Sequence, residues 1–167
     1  KGNHRVLIFD NPANDTTADT VLGQPSFTSS ATATTANGMS GPRGVAVDTL
    51  GRVYVAEEYN HRILLFDNPL SGDTTADTVF GQPGFTTSAS ATTANGMTSP
   101  DDLVIDTAGR LYVADLNNRR VLIFQNPAND TTPIDTVFGQ PNLTSSLVTI
   151  TANGLRAAVS HSNPAME

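Results

Sequence analysis

The tripeptide Gly-Gln-Pro stands at Gly23, Gly81 and Gly139, two steps of 58 residues, and no other feature restricts the fold of this chain as tightly. Asn-Gly at Asn37, Asn95 and Asn153 repeats both steps, and Asn-Pro at Asn11, Asn68 and Asn126 is spaced 57 and then 58. Three registers that agree on one unit mean that the 167 residues hold copies of one supersecondary motif. Such motifs stack because a single copy cannot bury its own apolar surface.

Within the unit the apolar runs are short, β-branched and bounded by Gly, Pro, Asn and Asp, which predicts strands. The first strand of the unit is expected at 44–48 and 102–106, followed by turns with a glycine at Gly51 and Gly109 that is free to take positive φ. The second is expected at 52–57 and 110–115. The third occurs three times, at 5–9, 62–66 and 120–124, each time stopped by Asn-Pro or a residue beside it, because proline cannot donate to a ladder. The fourth is expected at 19–22, 77–80 and 135–138. Since the third strand is apolar at consecutive positions, both of its faces should be covered, as happens when sheets stack face to face. An all-β chain of stacked four-stranded antiparallel sheets is a propeller-type architecture. A β-solenoid has a period in this range too, but hairpins of four distinct strands argue against its short coils.

The residues Pro42-Arg-Gly-Val-Ala-Val-Asp48, Gly51-Arg-Val-Tyr-Val-Ala-Glu57 and Asn60-His-Arg-Ile-Leu-Leu-Phe66 resemble the NHL repeat of six-bladed β-propellers. Residues 100–124 match similarly, with Asn118-Arg-Arg in place of Asn-His-Arg, and Asn3-His-Arg opens a half repeat. The resemblance implies a propeller fold and says little about function, since propellers host many activities. In NHL-like lyases and hydrolases the site lies on the axial channel and is built from His, Glu, Tyr and Arg, of which this chain supplies little.

Two departures from that pattern shape the expectations. The unit exceeds the ~40 to 45 residues of a common blade, and the excess falls in 20–42, 78–100 and 136–155, stretches without charge and rich in Thr, Ser and Ala. Loops of that length are uncommon in compact domains unless they are structured, so ordered loops are expected. The second departure is the count: ten strands make about two and a half blades, where a six-bladed ring needs twenty-four. The expected division is a half blade with its loop at 1–41, full blades with loops at 42–99 and 100–154, and an atypical tail at 155–167.

Composition narrows the function classes. Nine Lys and Arg against sixteen Asp and Glu leave a net charge of −7, and Lys1 is the only lysine, which argues against a nucleic-acid groove. No apolar run approaches the ~18 residues of a membrane span, and no signal peptide is recognisable. The absence of cysteine removes disulfides and thiolate chemistry. Thr, Ser and Asn number 49, an uncharged polar bias that suits an extracellular surface, and the glycosylation patterns at Asn14, Asn129 and Asn142 agree with secretion. The initial lysine reads as a processed product or a fragment of a longer parent.

No catalytic, metal or cofactor site is expected. His4 and His61 share one position of the unit and read as structural, Arg119 takes that place in the third copy, and His161 has no evident partner. The turns at Asp15, Asp73 and Asp130 read as solvated connections rather than Ca²⁺ ligands. Glu57 and Asp115 end their strands five residues before Arg62 and Arg120 begin the next, which places each acid opposite an arginine across a hairpin. Such pairs read as internal braces, because a buried arginine has to be paired. Arg5 holds the same position without its acid. An arc also leaves apolar faces and a strand edge open, so the expected function is an extracellular, non-catalytic module that assembles head to tail with copies of itself. Val6, Ile8, Phe9, Leu155 and Val159 are the expected contact residues. The other readings are a fragment of a six-bladed lyase or hydrolase completed by the remaining blades of a longer parent, and a propeller that binds a glycan or protein ligand.

Overall fold

A computed structural model describes residues 2–133, 136–148, 152 and 154. Its described strands are all antiparallel and fall into three successive sheets: β1 (Val6–Ile8) with β2 (Thr20–Leu22); β3 (Pro42–Val47), β4 (Val53–Glu57), β5 (Arg62–Phe66) and β6 (Thr78–Phe80) in that order; and β7 (Pro100–Ile105), β8 (Leu111–Asp115) and β9 (Arg120–Phe124). The middle sheet is a complete propeller-type blade, flanked by a half blade and by a blade whose fourth strand is reduced to a single bridge, Val121 to Phe138. The described residues thus form an open arc. No described helix is long and apolar enough to cross a membrane.

Two buried clusters join the sheets, one from each face of the middle blade. Val53, Val55, Leu64 and Phe66 pack with Leu22, Met39 and Ala76, and Val6 and Ile8 rest against them. Tyr54, Ala56, Ile63, Leu65 and Phe80 pack with Leu103, Leu111, Val113, Leu122 and Phe124. This division explains why the third strand of the unit is apolar throughout: odd and even residues serve different neighbours. At the inner edge β3 passes so close to β7 that a Cβ on Gly44 would lie 2.8 Å from the Asp102 Cα, so only glycine fits there.

The fourth strand expected at 135–138 is the one element that falls short. Asp135 lies outside the described residues, and Phe138 makes only one bridge. Its counterpart Phe80 is held edge-on against Phe124 with ring centroids 5.2 Å apart, whereas Phe138 meets no described blade beyond it and is 52% exposed. Without burial of its side chains a peripheral strand gains little from pairing. Leu155, Val159, His161 and the rest of the expected tail lie outside the described residues, apart from which the arc follows the expected order of strands.

Candidate functional site: the arginine braces and the open ends of the arc

Each brace forms where the second strand of the unit hands over to the third. The register pairs Glu57 with Arg62 and Asp115 with Arg120 at the ends of the β4–β5 and β8–β9 hairpins. The four side chains are buried, and each arginine Nε donates to its acid, Arg120 to Asp115 at 2.7 Å. Two further donors reach each carboxylate: the Ser40 amide at 2.6 Å and Asn60 Nδ2 at 2.8 Å for Glu57, the Thr98 amide at 2.7 Å and Asn118 Nδ2 at 2.8 Å for Asp115. Burial pushes both carboxyls above their ordinary range, against the pull of these donors and the guanidinium.

The rest of each guanidinium fastens the uncharged loops. Arg62 Nη2 donates to the Thr35 and Gly38 carbonyls at 2.9 and 3.0 Å, and its Nη1 donates to Phe85 O in the next loop. Arg120 repeats this one unit later, with Thr93 at 3.0 Å, Gly96 at 2.7 Å and Leu143 O. Both arginines therefore bind an acid of their own blade, the loop before it and the loop after it, using donors on all three nitrogens. This is work for a planar fork rather than a point charge. Over their described residues the loops gain further anchors that no local sequence pattern announces. Gln24, Gln82 and Gln140 of the Gly-Gln-Pro motif each donate to two carbonyls, one of them seven residues on, at 2.7 to 3.1 Å. Asn60 and Asn118 also bond the Ala33 and Ala91 carbonyls at 2.9 Å. The recurrence of Gln and Asn at fixed places was the available signal.

His4 and His61 each hold a backbone amide. His4 and His61 sit in the left-handed region at φ 46° and 52°, and their Nδ1 atoms accept the Gly41 and Ser99 amides at 3.1 and 3.0 Å. Arg119, at φ 56°, instead donates to the Ser146 carbonyl. Accepting at Nδ1 requires the neutral ring, and burial lowers the His61 pKa below its usual value. The unfolded chain then binds the extra proton first, so this part of stability is complete above about pH 6.5 and is lost as the pH falls below it. Thermal unfolding between pH 7.5 and 5.5 should lose midpoint steadily, and His61→Asn, which tolerates the same φ, should flatten the slope; an unchanged slope in the variant would contradict this role.

The turns at Asp15, Asp73 and Asp130 close as side-chain turns, each Oδ1 accepting the amide two residues on. Among the described residues no group of three or more His, Asp or Glu is placed to hold a metal ion. Asn14, Asn129 and Asn142 are exposed.

Arg5 lacks most of this setting. Its Nη1 donates to Phe27 O, the counterpart of the Phe85 and Leu143 carbonyls, and to Ser29 O at 3.4 Å, while no acid among the described residues is paired with it. The half blade is open on that side: β1 pairs with β2 only. Of the expected contact residues, Phe9 is 40% exposed beside Leu7 at 37%, whereas Val6 and Ile8 rest on the middle-blade cluster, because the register Val6 to Leu22 fixes which alternate set faces the middle blade. Leu64 and Phe66, the counterparts of Leu7 and Phe9, are fully buried. Val45 and Val47 in β3 are 45% and 61% exposed, while Leu103, the counterpart of Val45 one unit later, is 6% exposed under the blade before it. At the far end Val104 and Phe138 lie open in the same way.

Residues 39–66 match the family model of the NHL repeat, a span that runs from the loop methionine Met39 through β3, β4, the Glu57–Arg62 brace and β5. No curated protein matches the chain. Among solved structures, the chain is similar to selenomethionine-substituted virginiamycin B lyase from Staphylococcus aureus at 17% identity and a TM-score of 0.41, over 68% of this chain and 31% of that one. The chain thus spans about a third of that protein's length, and a likeness at this level carries no argument about activity. Strand order and paired faces describe an arc of propeller-type blades, of which residues 39–66 match the NHL repeat.

Proposed function

We propose that the chain is a non-catalytic interaction module of an extracellular surface, which assembles near end to far end with copies of itself. The observation that carries this reading is the contrast between equivalent residues: Leu7 and Phe9 at one end, and Phe138 at the other, are exposed where Leu64, Phe66 and Phe80 are buried between blades. Each end is one half of a contact the molecule already makes twice, so a far end offers a near end the kind of apolar face that the middle blade offers its neighbours. Unlike ends favour a head-to-tail contact over a twofold one. Glu57 and Asp115 are engaged in the braces and His61 in a backbone bond, which supports a structural rather than a catalytic use of these groups. The polar composition and the exposed glycosylation patterns support the extracellular assignment.

Charges placed at single ends test the polarity. Phe9→Glu blocks the near end and Phe138→Glu the far end, so each variant alone should sediment as a monomer while an equimolar mixture yields dimers through the one contact left intact. A mixture that stays monomeric, or single variants that still dimerise, would contradict the head-to-tail contact.

A further inference from the structure

The recurring Gly-Gln-Pro and Asn-Gly motifs meet in space as well as in sequence. Two pockets of the arc are copies of one another, one unit apart, with cavity volumes of about 280 and 520 Å³. Gln24, Pro25, Thr35, Asn37 and Thr74 line the first, and Gln82, Pro83, Thr93, Asn95 and Thr131 line the second, with glycines and alanines between them. Each pocket is walled by the uncharged loop of one unit and flanked by a threonine from the turn of the following blade. Because equivalent residues line it twice, the pocket does not arise from an open end of the arc. Its walls are held from behind: Arg62 bonds the Thr35 and Gly38 carbonyls, Gln24 the Ala31 carbonyl and Asn60 the Ala33 carbonyl. Arg120, Gln82 and Asn118 do the same one unit later. The shape is thus fixed before any ligand arrives, which lowers the cost of binding one. In the first pocket Gln24 is only 5% exposed and its Oε1 has no hydrogen-bond partner among the described residues, whereas Gln140 Oε1 accepts the Leu147 amide.

We propose that these two pockets are equivalent binding sites for single rings of a neutral polysaccharide. A pyranose ring presents hydroxyls at its edge and apolar C–H groups on its faces. The amides and hydroxyls of Gln, Asn and Thr suit the first, and the proline ring and alanine methyls suit the second. No charged residue lines either pocket, and the chain's net charge of −7 disfavours anionic sugars. Neither pocket is lined by an aromatic residue or by Leu, Ile or Met, so a peptide finds no apolar anchor of the kind that carries protein contacts. Two equal sites on one scaffold give a long glycan an avidity that a single sugar lacks. These sites lie in the loops between blades and are independent of the end-to-end contact.

Affinity electrophoresis of the full chain through gels holding glucan, mannan, galactan or xylan, with polygalacturonate as an anionic control, tests the proposal. At least one neutral polymer should retard the chain, and polygalacturonate should not. In calorimetric titration with an oligosaccharide of the retarding polymer, Asn37→Trp and Asn95→Trp should each remove one site, because the larger side chain closes one pocket. The double variant should migrate as if no polymer were present. Asn37 and Asn95 are exposed, so these variants should unfold at the temperature of the unmodified chain. Thr35→Val keeps the shape of the first pocket but removes its hydroxyl, and should weaken that site about tenfold. Phe9→Glu, which blocks the near end, should leave both sites intact, so a failure of the assembly reading and a failure of the glycan sites are told apart. Migration unaffected by every neutral polymer, retardation by the anionic polymer alone, or retardation that survives the double substitution would overturn the proposal.

Discussion

Arg62→Ala and Arg120→Ala should each lower stability by about 3 to 5 kcal/mol, because each leaves a buried carboxylate uncompensated. The midpoint of thermal unfolding should fall by roughly 6 to 20 °C for a chain of this size. The loss extends beyond the acid. Thr35, Gly38 and Phe85 around Arg62 lose the donor that holds their carbonyls, so amide exchange in the loops on both sides of the blade should accelerate. Arg62→Lys retains the charge but not the fork, and should recover little of the loss. Arg5→Ala touches a half-buried group whose partners among the described residues are carbonyls, and should cost well under half as much. Equal effects at all three arginines would mean that the acid and the upstream loop are not what gives the brace its strength.

Phe80→Ala and Phe138→Ala form the second comparison, with the same residue at the same place in successive units. Phe80 is fully buried, beside Tyr54 of its own blade and edge-on to Phe124 of the next, so its removal should cost about 3 to 5 kcal/mol. Phe138 is half exposed, with no described blade against it, and its removal should cost under about 0.5 kcal/mol at concentrations where the chain is a monomer. Under assembling conditions the Phe138 variant should lose associated mass instead. Denaturant midpoints at two protein concentrations separate these effects, and a large concentration-independent loss for Phe138→Ala would mean that its side chain is buried within the monomer.

Much of this arrangement is legible in the sequence because the unit repeats. Arg62–Phe66 and Arg120–Phe124 fall where apolar β-branched runs and the Asn-Pro stops place them, and the acids pair with the arginines that their spacing implies. What the sequence hides is direction. Val6, Leu7, Ile8 and Phe9 are all apolar, so no alternation distinguishes the residues that meet the middle blade from those that face outward; only the register with β2 does so. The loops hide their anchors for a different reason. Gln24 reaches His4, and Arg62 reaches Thr35, across 20 and 27 residues, and an uncharged stretch of Thr, Ser and Ala carries no local mark of a bond made at that separation. The weak fourth strand near Phe138 was illegible because its pattern is intact while no described blade covers Phe138.

The account rests on ends that stay exposed in the monomer and are covered in the assembly. Sedimentation velocity of the unmodified chain, from low micromolar to high micromolar concentration, measures this directly. Mass should rise with concentration beyond the 17.5 kDa chain through a series of integral oligomers; a single compact species of 17.5 kDa across the whole range would contradict it.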